Sequence, residues 1–177
     1  GRGKAGGVQI VSSPQEAEDV AKALIGTRLV TIQTGPEGAP VNQVLVEETL
    51  QVEQELYIGI AIDGFAGAPV VIASRAGGME IEEIATDSPD LLLQATVNPI
   101  VGLQSFQCRY LGHRMGLDAK TTGALTRQLL PLYQMFMEKD CSMAEINPMV
   151  LTADHQVVAL DAKVTIDDNA LFRQKEM

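Results

Sequence analysis

The sequence predicts an α+β fold, in which mixed or antiparallel sheets are flanked by helices. Strand-like segments follow one another along much of the chain rather than alternating regularly with helices, which is typical of antiparallel pairing. Of the 177 residues, 46% are hydrophobic and 20% are charged, a balance that suffices for a folded core. Only 4% are aromatic, so we expect that core to be aliphatic.

The charge balance excludes several classes of partner. Thirteen Lys and Arg against 23 Asp and Glu leave a net charge of −10, whereas nucleic acids and anionic membranes favour basic surfaces.

No apolar run approaches the roughly 20 residues of a transmembrane helix. Cys108 and Cys141 form no metal-like or redox-like pair, so we expect reduced thiols in a cytoplasmic protein.

The first fifty residues combine a glycine-rich segment, a helix and extended stretches. Ser13, Pro14 and Glu16 form the pattern of a capped helix start. Apolar residues then recur at i, i+3, i+4 and i+7, which predicts one apolar helix face. The predicted strands of this part are Val8–Val11, Leu29–Thr34 and Val41–Glu48.

The middle of the chain predicts a hairpin followed by two helices. Asp63 and Gly64 begin a turn between two apolar strands, about Leu56–Ile62 and Pro69–Ser74. Pro131 lies inside the second helix, where we expect a kink or a break. The other predicted elements are Met79–Ala85 as strand or helix, strand Leu91–Val97, and helices at about Ser105–Met115 and Thr122–Lys139.

The last predicted hairpin carries the most informative polar pattern. Its strands, about Met143–Thr152 and Gln156–Ile166, flank a turn centred on Asp154, so the numbers of opposed residues sum to 308. In this register Asn147 is opposite Asp161. Side chains alternate with period two, so these two residues lie on one face of the hairpin.

Glu145 and Lys163 are opposed in the same register and share that face. Carboxylate and amide oxygens suit Mg²⁺, which takes oxygen ligands and retains several waters. A solvated strand face with a cross-strand Glu–Lys pair is the alternative interpretation. The other face is predicted to belong to the core and carries Ala144, Ile146, Val150, Val158, Leu160, Ala162 and Val164.

Two weaker patterns suggest nucleotide chemistry. The segment Gly1–Gly7 combines glycines with two basic residues, so N–H groups and cations can approach phosphate oxygens. A flexible loop is the alternative. The strand Val44–Glu48 ends in two carboxylates, with Glu55 eight residues after Glu47. Apolar walls with such acceptors are what a base or ribose pocket needs, although a strand end alone says little.

Six strings that occur in one order carry a resemblance to a known family. They are GRGKAGGV at Gly1–Val8, Val46–Gly59 ending in ELYIG, GGMEIEE at Gly77–Glu83, EINP at Glu145–Pro148, LDAK at Leu160–Lys163 and DDNALFR at Asp167–Arg173. Together they resemble the ATP-grasp domain of succinate–CoA ligase (succinyl-CoA synthetase) β subunits over essentially the whole chain. The resemblance implies an ATP-grasp fold, with a partial first subdomain over about residues 1–50 and a second over about residues 51–177.

The resemblance also implies roles for matching residues. The implied nucleotide-binding residues are Gly1, Arg2, Gly3, Glu47, Leu50 and Glu55, and the implied metal ligands are Asn147 and Asp161, with Glu145 as a further candidate. No residue of this chain is implied to be catalytic, because the phosphohistidine of that family belongs to the α subunit. Neither His113 nor His155 is therefore assigned that role.

In that family a nucleoside triphosphate, a carboxylate and CoA are converted to a diphosphate, phosphate and acyl-CoA. The implied cofactors are Mg²⁺ and ATP or GTP. The implied partners are an α subunit, in a heterodimer or heterotetramer, and CoA and succinate, with no nucleic acid and no membrane. We expect the residues of this chain to position phosphates and neutralise their charge.

Three alternatives to a succinate enzyme stay open. The segment Ser74–Met79 departs from the usual succinate pattern and, with Gly102–Gln107, resembles malate–CoA ligase β subunits. A non-catalytic ATP-grasp scaffold and the matching region of ATP-citrate lyase are the others. The sequence opens at Gly1 without Met, so we expect a piece of a longer protein that is inactive as a ligase alone. The short glycine loop favours a bacterial source.

Overall fold

The computed structural model describes residues 3, 5–31, 34–79 and 81–176. The chain divides into two compact units, Gly1–Leu50 and Gln51–Met177, the second of which holds nearly all of the buried core. Both helices and strands occur, and all strand pairs among the described residues are antiparallel. None of the described helices is long and apolar enough to span a membrane.

The first unit contains helix α1 (Pro14–Leu24) and a two-stranded sheet. The Ser13 side chain accepts a hydrogen bond from the Glu16 N–H, and the Glu16 carboxylate accepts one from the Ser12 N–H, so the predicted cap forms. Strands β1 (Arg28–Leu29) and β2 (Ala39–Pro40) pair antiparallel. Strand β1 overlaps the strand predicted at Leu29–Thr34 only at Leu29, and residues 32 and 33 of that prediction lie outside the described residues. Strand β2 lies in a segment that the sequence predicts as a loop.

Two predicted strands of this unit are wrong. Residues Val8–Val11 and Val41–Glu48 form no strand ladder within the described residues, and Leu45 and Val46 of the second segment are largely exposed. An apolar run becomes a strand only when a second backbone pairs with it. Sequence alone does not show whether such a partner lies alongside.

The second unit is built on an antiparallel sheet. Its strand order is β5-β4-β3-β6-β7, and β8 also pairs with β6. The strands are β3 (Val52–Asp63), β4 (Ala68–Ser74), β5 (Leu93–Thr96), β6 (Cys141–Thr152), β7 (Val157–Ala159) and β8 (Ala162–Ile166). The helices are α2 (Ile81–Asp87), α3 (Ser105–Arg114) and α4 (Ala119–Glu138), with 3₁₀ turns at Pro89–Leu91 and Asp168–Arg173. The sheet is therefore centred on β3 and β6.

The core lies between one face of this sheet and the helices α3 and α4. Leu56, Ile58 and Ile60 occupy every second position along β3, and their side chains are fully buried in this core. Helix α4 continues through Pro131, so of the kink or break expected there, the break does not occur. Buried α4 side chains on both sides of the proline hold the helix against the sheet, which offsets the lost hydrogen bond; they include Leu125, Leu129, Tyr133 and Phe136.

The carboxyl-terminal 3₁₀ turn returns to the start of β6 through a charged cluster. The Arg173 guanidinium donates to both carboxylate oxygens of Asp140, and the Gln174 amide donates to one of them at 2.7 Å. These bonds, that from Arg173 first, lower the pKa of Asp140 to about 2. Asp140 also has a left-handed φ of 53°, which asparagine tolerates as well.

Truncation of the buried aromatic ring in α4 should strongly destabilise the second unit. Phe136 is 1% exposed, and Phe136→Ala is expected to lower the free energy of unfolding by about 3–5 kcal/mol. Phe65→Ala is the matched control, because Phe65 is fully exposed in the β3–β4 turn; it should change stability by about 0.5 kcal/mol or less. Urea unfolding measures both, and equal losses would contradict the assignment of the core.

Asp140→Asn should remove part of the pH dependence of stability. A carboxylate whose pKa is lowered by folding stabilises the native state above its unfolded pKa, and that stability is lost as the pH falls towards 2. Wild type should therefore be more stable than the variant near pH 6, with the difference shrinking below about pH 4. Asp90→Asn, an exposed residue, is the control. A difference that is independent of pH from 6 to 3 would contradict the ion pair.

Candidate functional site

The site residues of the second unit lie on the sheet face turned away from α3 and α4, here called the front face. Gly59 pairs with Glu145, and Tyr57 pairs with Ser74. Because paired residues share a face and side chains alternate, Tyr57, Gly59, Glu145 and Ser74 point to the same side. Their neighbours Ile58 and Ile146 point into the core. The alternation of β3 and β6 thus separates the packing face from the polar face.

The register predicted for the last hairpin is correct. Glu145 pairs with Lys163, and the Asn147 N–H donates to the Asp161 carbonyl at 2.9 Å. The turn at residues 153–155 is also where the sequence places it, with His155 at a φ of 63°. Asn147 and Asp161 are therefore opposed, as the spacing predicts.

The returning strand differs from the prediction in two ways. It is divided into β7 and β8, with Leu160 and Asp161 between them. Its apolar face is also not a core face throughout, because Leu160 and Val164 are 43% and 42% exposed and Ala162 is exposed too. The reason is position, since β8 lies at the sheet edge and contributes no residue to the core cluster within the described residues.

The side-chain amide of Asn147 is held at both ends by a turn that precedes α2. Its Oδ1 accepts a hydrogen bond from the Gly78 N–H at 2.8 Å, and its Nδ2 donates to the Met79 carbonyl at 2.8 Å. These two bonds determine which way the amide points. A carbonyl oxygen has two lone pairs, so Oδ1 keeps one for a further donor or a cation. The sequence analysis missed this link between distant segments.

The same turn lies against Glu55. The Gly77 N–H donates to the Glu55 carbonyl at 3.2 Å, and a Cβ on Gly77 would lie 2.6 Å from the backbone of Glu55 and Leu56. Gly78 has a φ of +71°, and a Cβ there would collide with the Glu55 carboxylate. Both positions therefore require glycine. The turn brings Glu55, an implied nucleotide contact, close to Asn147, an implied metal ligand.

Tyr57 occupies the centre of the front face. It is 5% exposed, and its hydroxyl lies 2.8 Å from where a Cβ of Gly59 would be, so the ring lies across that glycine. Burial raises the pKa of Tyr57 to about 12, with smaller contributions from the negative charges of Glu145 and Glu82. Glu82 on α2 and Glu145 on β6 are therefore both near this hydroxyl.

The remaining implied residues belong to the first unit. Gly1 and Arg2 lie outside the described residues. The Gly3 carbonyl accepts a hydrogen bond from the Gly6 N–H at 3.0 Å, which forms a turn in the glycine-rich segment. Glu47 is exposed and lines a groove beside the apolar stripe of α1, while Leu50 is half-buried. The nucleotide roles of these residues stay predictions.

The donor set on the front face fits a lightly ligated magnesium ion. Among the described residues no group of three or more His, Cys, Asp or Glu side chains is arranged to hold a metal. Asn147 and Asp161, with Glu145 on the same face, instead supply one amide oxygen and one or two carboxylates. Mg²⁺ retains several waters and is commonly held by one or two carboxylates together with substrate phosphates. The implied metal ligands stay predictions that the geometry permits.

The fold is that of an ATP-grasp domain. Residues 1–151 match the ATP-grasp domain family, and the chain belongs to it. ATP citrate lyase of Methanothrix soehngenii, solved with citrate and coenzyme A, has the same fold: the TM-score is 0.73 at 18% identity, over 98% of this chain and 38% of that chain. The expected α+β class and ATP-grasp fold are therefore confirmed.

The relatives found by sequence similarity have more specific names than the domain family. The chain is 49% identical to the β subunit of succinate–CoA ligase [ADP-forming] of Coxiella burnetii over 178 aligned positions. It is 49% identical to that of Myxococcus xanthus and 47% identical to that of Staphylococcus epidermidis, each over 177 positions. Each alignment covers all of this chain but 46% of the relative. The chain thus spans about half the length of the relatives it matches.

Substitution of Gly78 should test the contact between the turn and Glu55. Gly78→Ala should lower stability by the left-handed penalty, about 1–2 kcal/mol, and by a further amount from the collision with the Glu55 carboxylate. Gly67→Ala is the matched control, because Gly67 has a φ of +60° but no atom within 4 Å of an added Cβ. Urea unfolding measures both variants.

A double-mutant cycle separates the two contributions. In a Glu55→Ala background, the loss caused by Gly78→Ala should fall to that of Gly67→Ala, because only the backbone penalty is left. Unchanged losses in both backgrounds would mean that the Glu55 carboxylate does not contact residue 78.

Proposed function

We propose that this chain is the nucleotide-binding ATP-grasp part of an acid–CoA ligase β subunit. The full enzyme would couple the interconversion of succinyl-CoA and succinate to a nucleoside triphosphate, by phosphoryl transfer to a histidine of an α subunit. The observation that carries the proposal is the opposition of Asn147 and Asp161, with the Asn147 amide oriented by the Gly77–Met79 turn. A merely structural strand pair needs neither the amide nor its orientation.

The names of the relatives favour particular substrates. Those relatives are succinate–CoA ligases and are ADP-forming, which favours succinate over malate and ATP over GTP for the present chain. The same names support an α subunit and CoA as partners, and the α subunit would supply the phosphorylated histidine. A cytoplasmic location is part of the same proposal.

The first unit would form part of the first ATP-grasp subdomain and the second unit the second. Gly1, Arg2 and Gly3 would contact the nucleotide phosphates, and Glu47 and Leu50 would lie beside the base and ribose. Glu55 would be a further nucleotide contact. This set contains the basic Arg2 and the acidic Glu47 and Glu55. Both signs of charge suit a nucleotide whose phosphates are bound to a cation.

The front face would supply the metal site. Asn147 and Asp161 would hold Mg²⁺, with Glu145 as a further ligand on the same face. When bound, Mg²⁺ neutralises the negative charge of the transferred phosphoryl group. The hydrogen bonds from Gly78 and to Met79 hold the Asn147 amide before any ligand arrives, so its orientation is preorganised. The Lys163 ammonium, opposite Glu145, adds one positive charge to the face.

A calorimetric titration tests the proposal. The chain should bind ATP in the presence of Mg²⁺ and bind it much more weakly in EDTA. Asp161→Ala should reduce the affinity for Mg·ATP at least about tenfold, because a charged ligand of the metal is lost. Asp90→Ala is the control, since Asp90 is an exposed carboxylate outside the site. A titration with Mg·GTP shows which base is preferred.

Two outcomes would contradict this function. If neither nucleotide binds at millimolar concentration, either to this chain or to a longer chain that includes it, the domain is a scaffold without a nucleotide site. If Mg·ATP binds equally well to wild type and to Asp161→Ala, the metal site lies elsewhere. Circular dichroism of both variants checks that their folds are retained.

A further inference from the structure

Tyr57 presents a hydroxyl group that has no hydrogen-bond partner in the described part of the chain. Its ring is buried on the front face, outside the core cluster between the sheet and the helices. Among the described residues, Tyr133 Oη is the fully buried side-chain polar atom without a partner. Tyr57 Oη also lacks a partner but is not one of these fully buried atoms. The hydroxyl is therefore part of the 5% of Tyr57 that is exposed, and it reaches the surface of the front face.

The direction of this hydroxyl is determined by a neighbouring glycine. The position of a Gly59 Cβ would be 2.8 Å from Tyr57 Oη and 3.1–3.2 Å from ring carbons. Only glycine at residue 59 leaves room for the ring to lie along the strand. Gly59 pairs with Glu145 of β6, so the hydroxyl lies over a residue next to Glu145, and the Glu145 charge acts on Tyr57.

The charges around the hydroxyl suit a donor beside a bound cation. Glu145 and Glu82 are close enough for their charges to act on Tyr57, and the hydroxyl stays protonated at neutral pH. Two carboxylates near an unpartnered hydroxyl favour a cation rather than a bare anion. A phosphate held beside that cation is negatively charged, so its oxygens would be strong acceptors for the O–H donor.

We infer that Tyr57 Oη donates a hydrogen bond to a phosphate oxygen of the metal-bound nucleotide. This inference rests on the proposed function and adds a phosphate-contacting residue on β3 to it.

Tyr57→Phe is the direct test, since it removes the hydroxyl and keeps the ring that covers Gly59. Titration calorimetry of the 177-residue chain should give about tenfold weaker binding of Mg·ATP, which corresponds to about 1.4 kcal/mol. Binding of Mg²⁺ alone and of adenosine should be unchanged, because neither offers a phosphate oxygen. Tyr110→Phe is the matched control, because the Tyr110 hydroxyl is on α3 and accepts a hydrogen bond from Arg114; it should bind Mg·ATP as wild type does.

The pattern across ligands separates a contact from indirect support. If Tyr57→Phe weakens Mg²⁺ alone as much as it weakens Mg·ATP, the hydroxyl acts by supporting Glu145 and the inference is wrong. Equal binding of Mg·ATP by wild type and Tyr57→Phe also overturns the inference, while the proposed function stands. If wild type binds no nucleotide at all, the proposed function fails and this inference fails with it.

Gly59→Ala provides an independent perturbation of the same hydroxyl. The added methyl group should displace the ring, so the affinity for Mg·ATP should fall in the wild-type background. In the Tyr57→Phe background, Gly59→Ala should cause a smaller further loss, because the contact is already absent. Losses of equal size in both backgrounds would show that Gly59 acts through the fold rather than through Tyr57, and would contradict the inference. Thermal melting of each variant reports its stability separately.

Discussion

The alternation of side chains along β3 is the constraint on which the rest of the second unit depends. Leu56, Ile58 and Ile60 point to one side and form the core with α3 and α4, while Tyr57 and Gly59 point to the other. A shift of pairing by one residue would exchange the two sets and expose the core. The hydrophobic effect that stabilises the fold therefore also determines which residues of β3 and β6 form the front face.

Hydrogen bonds to backbone groups connect the front face to the turn that precedes α2. Asn147 bonds to the backbone of Gly78 and Met79, and Gly77 bonds to the carbonyl of Glu55. Backbone groups have fixed positions once the turn has formed, so they orient a side chain more firmly than a flexible charged partner does. This explains why two adjacent glycines, one at a positive φ, occur where the turn meets β3.

Much of the fold was predictable, and the parts that were not share a physical cause. The cap of α1, the β3–β4 hairpin and the register of the last hairpin follow from local patterns: capping residues, a turn and period two. Within the described residues, Val8–Val11 and Val41–Glu48 form no strands, and of the kink or break expected at Pro131 the break does not occur. In each case the outcome depends on what packs alongside the segment, which neighbouring residues in the sequence do not specify.

The sequence by itself determined the class of the fold, the opposition of Asn147 and Asp161 and the resemblance to an ATP-grasp family. Each rests on short-range order along the chain, and a hairpin register needs only the turn and the alternation. Only the tertiary structure decided that Asn147 is oriented by the turn at Gly78, 69 residues away, and that the Tyr57 hydroxyl lies over Gly59 with no partner among the residues that the structure describes. Contacts between distant segments depend on how the whole sheet closes, and burial of the core governs that closure rather than any local pattern.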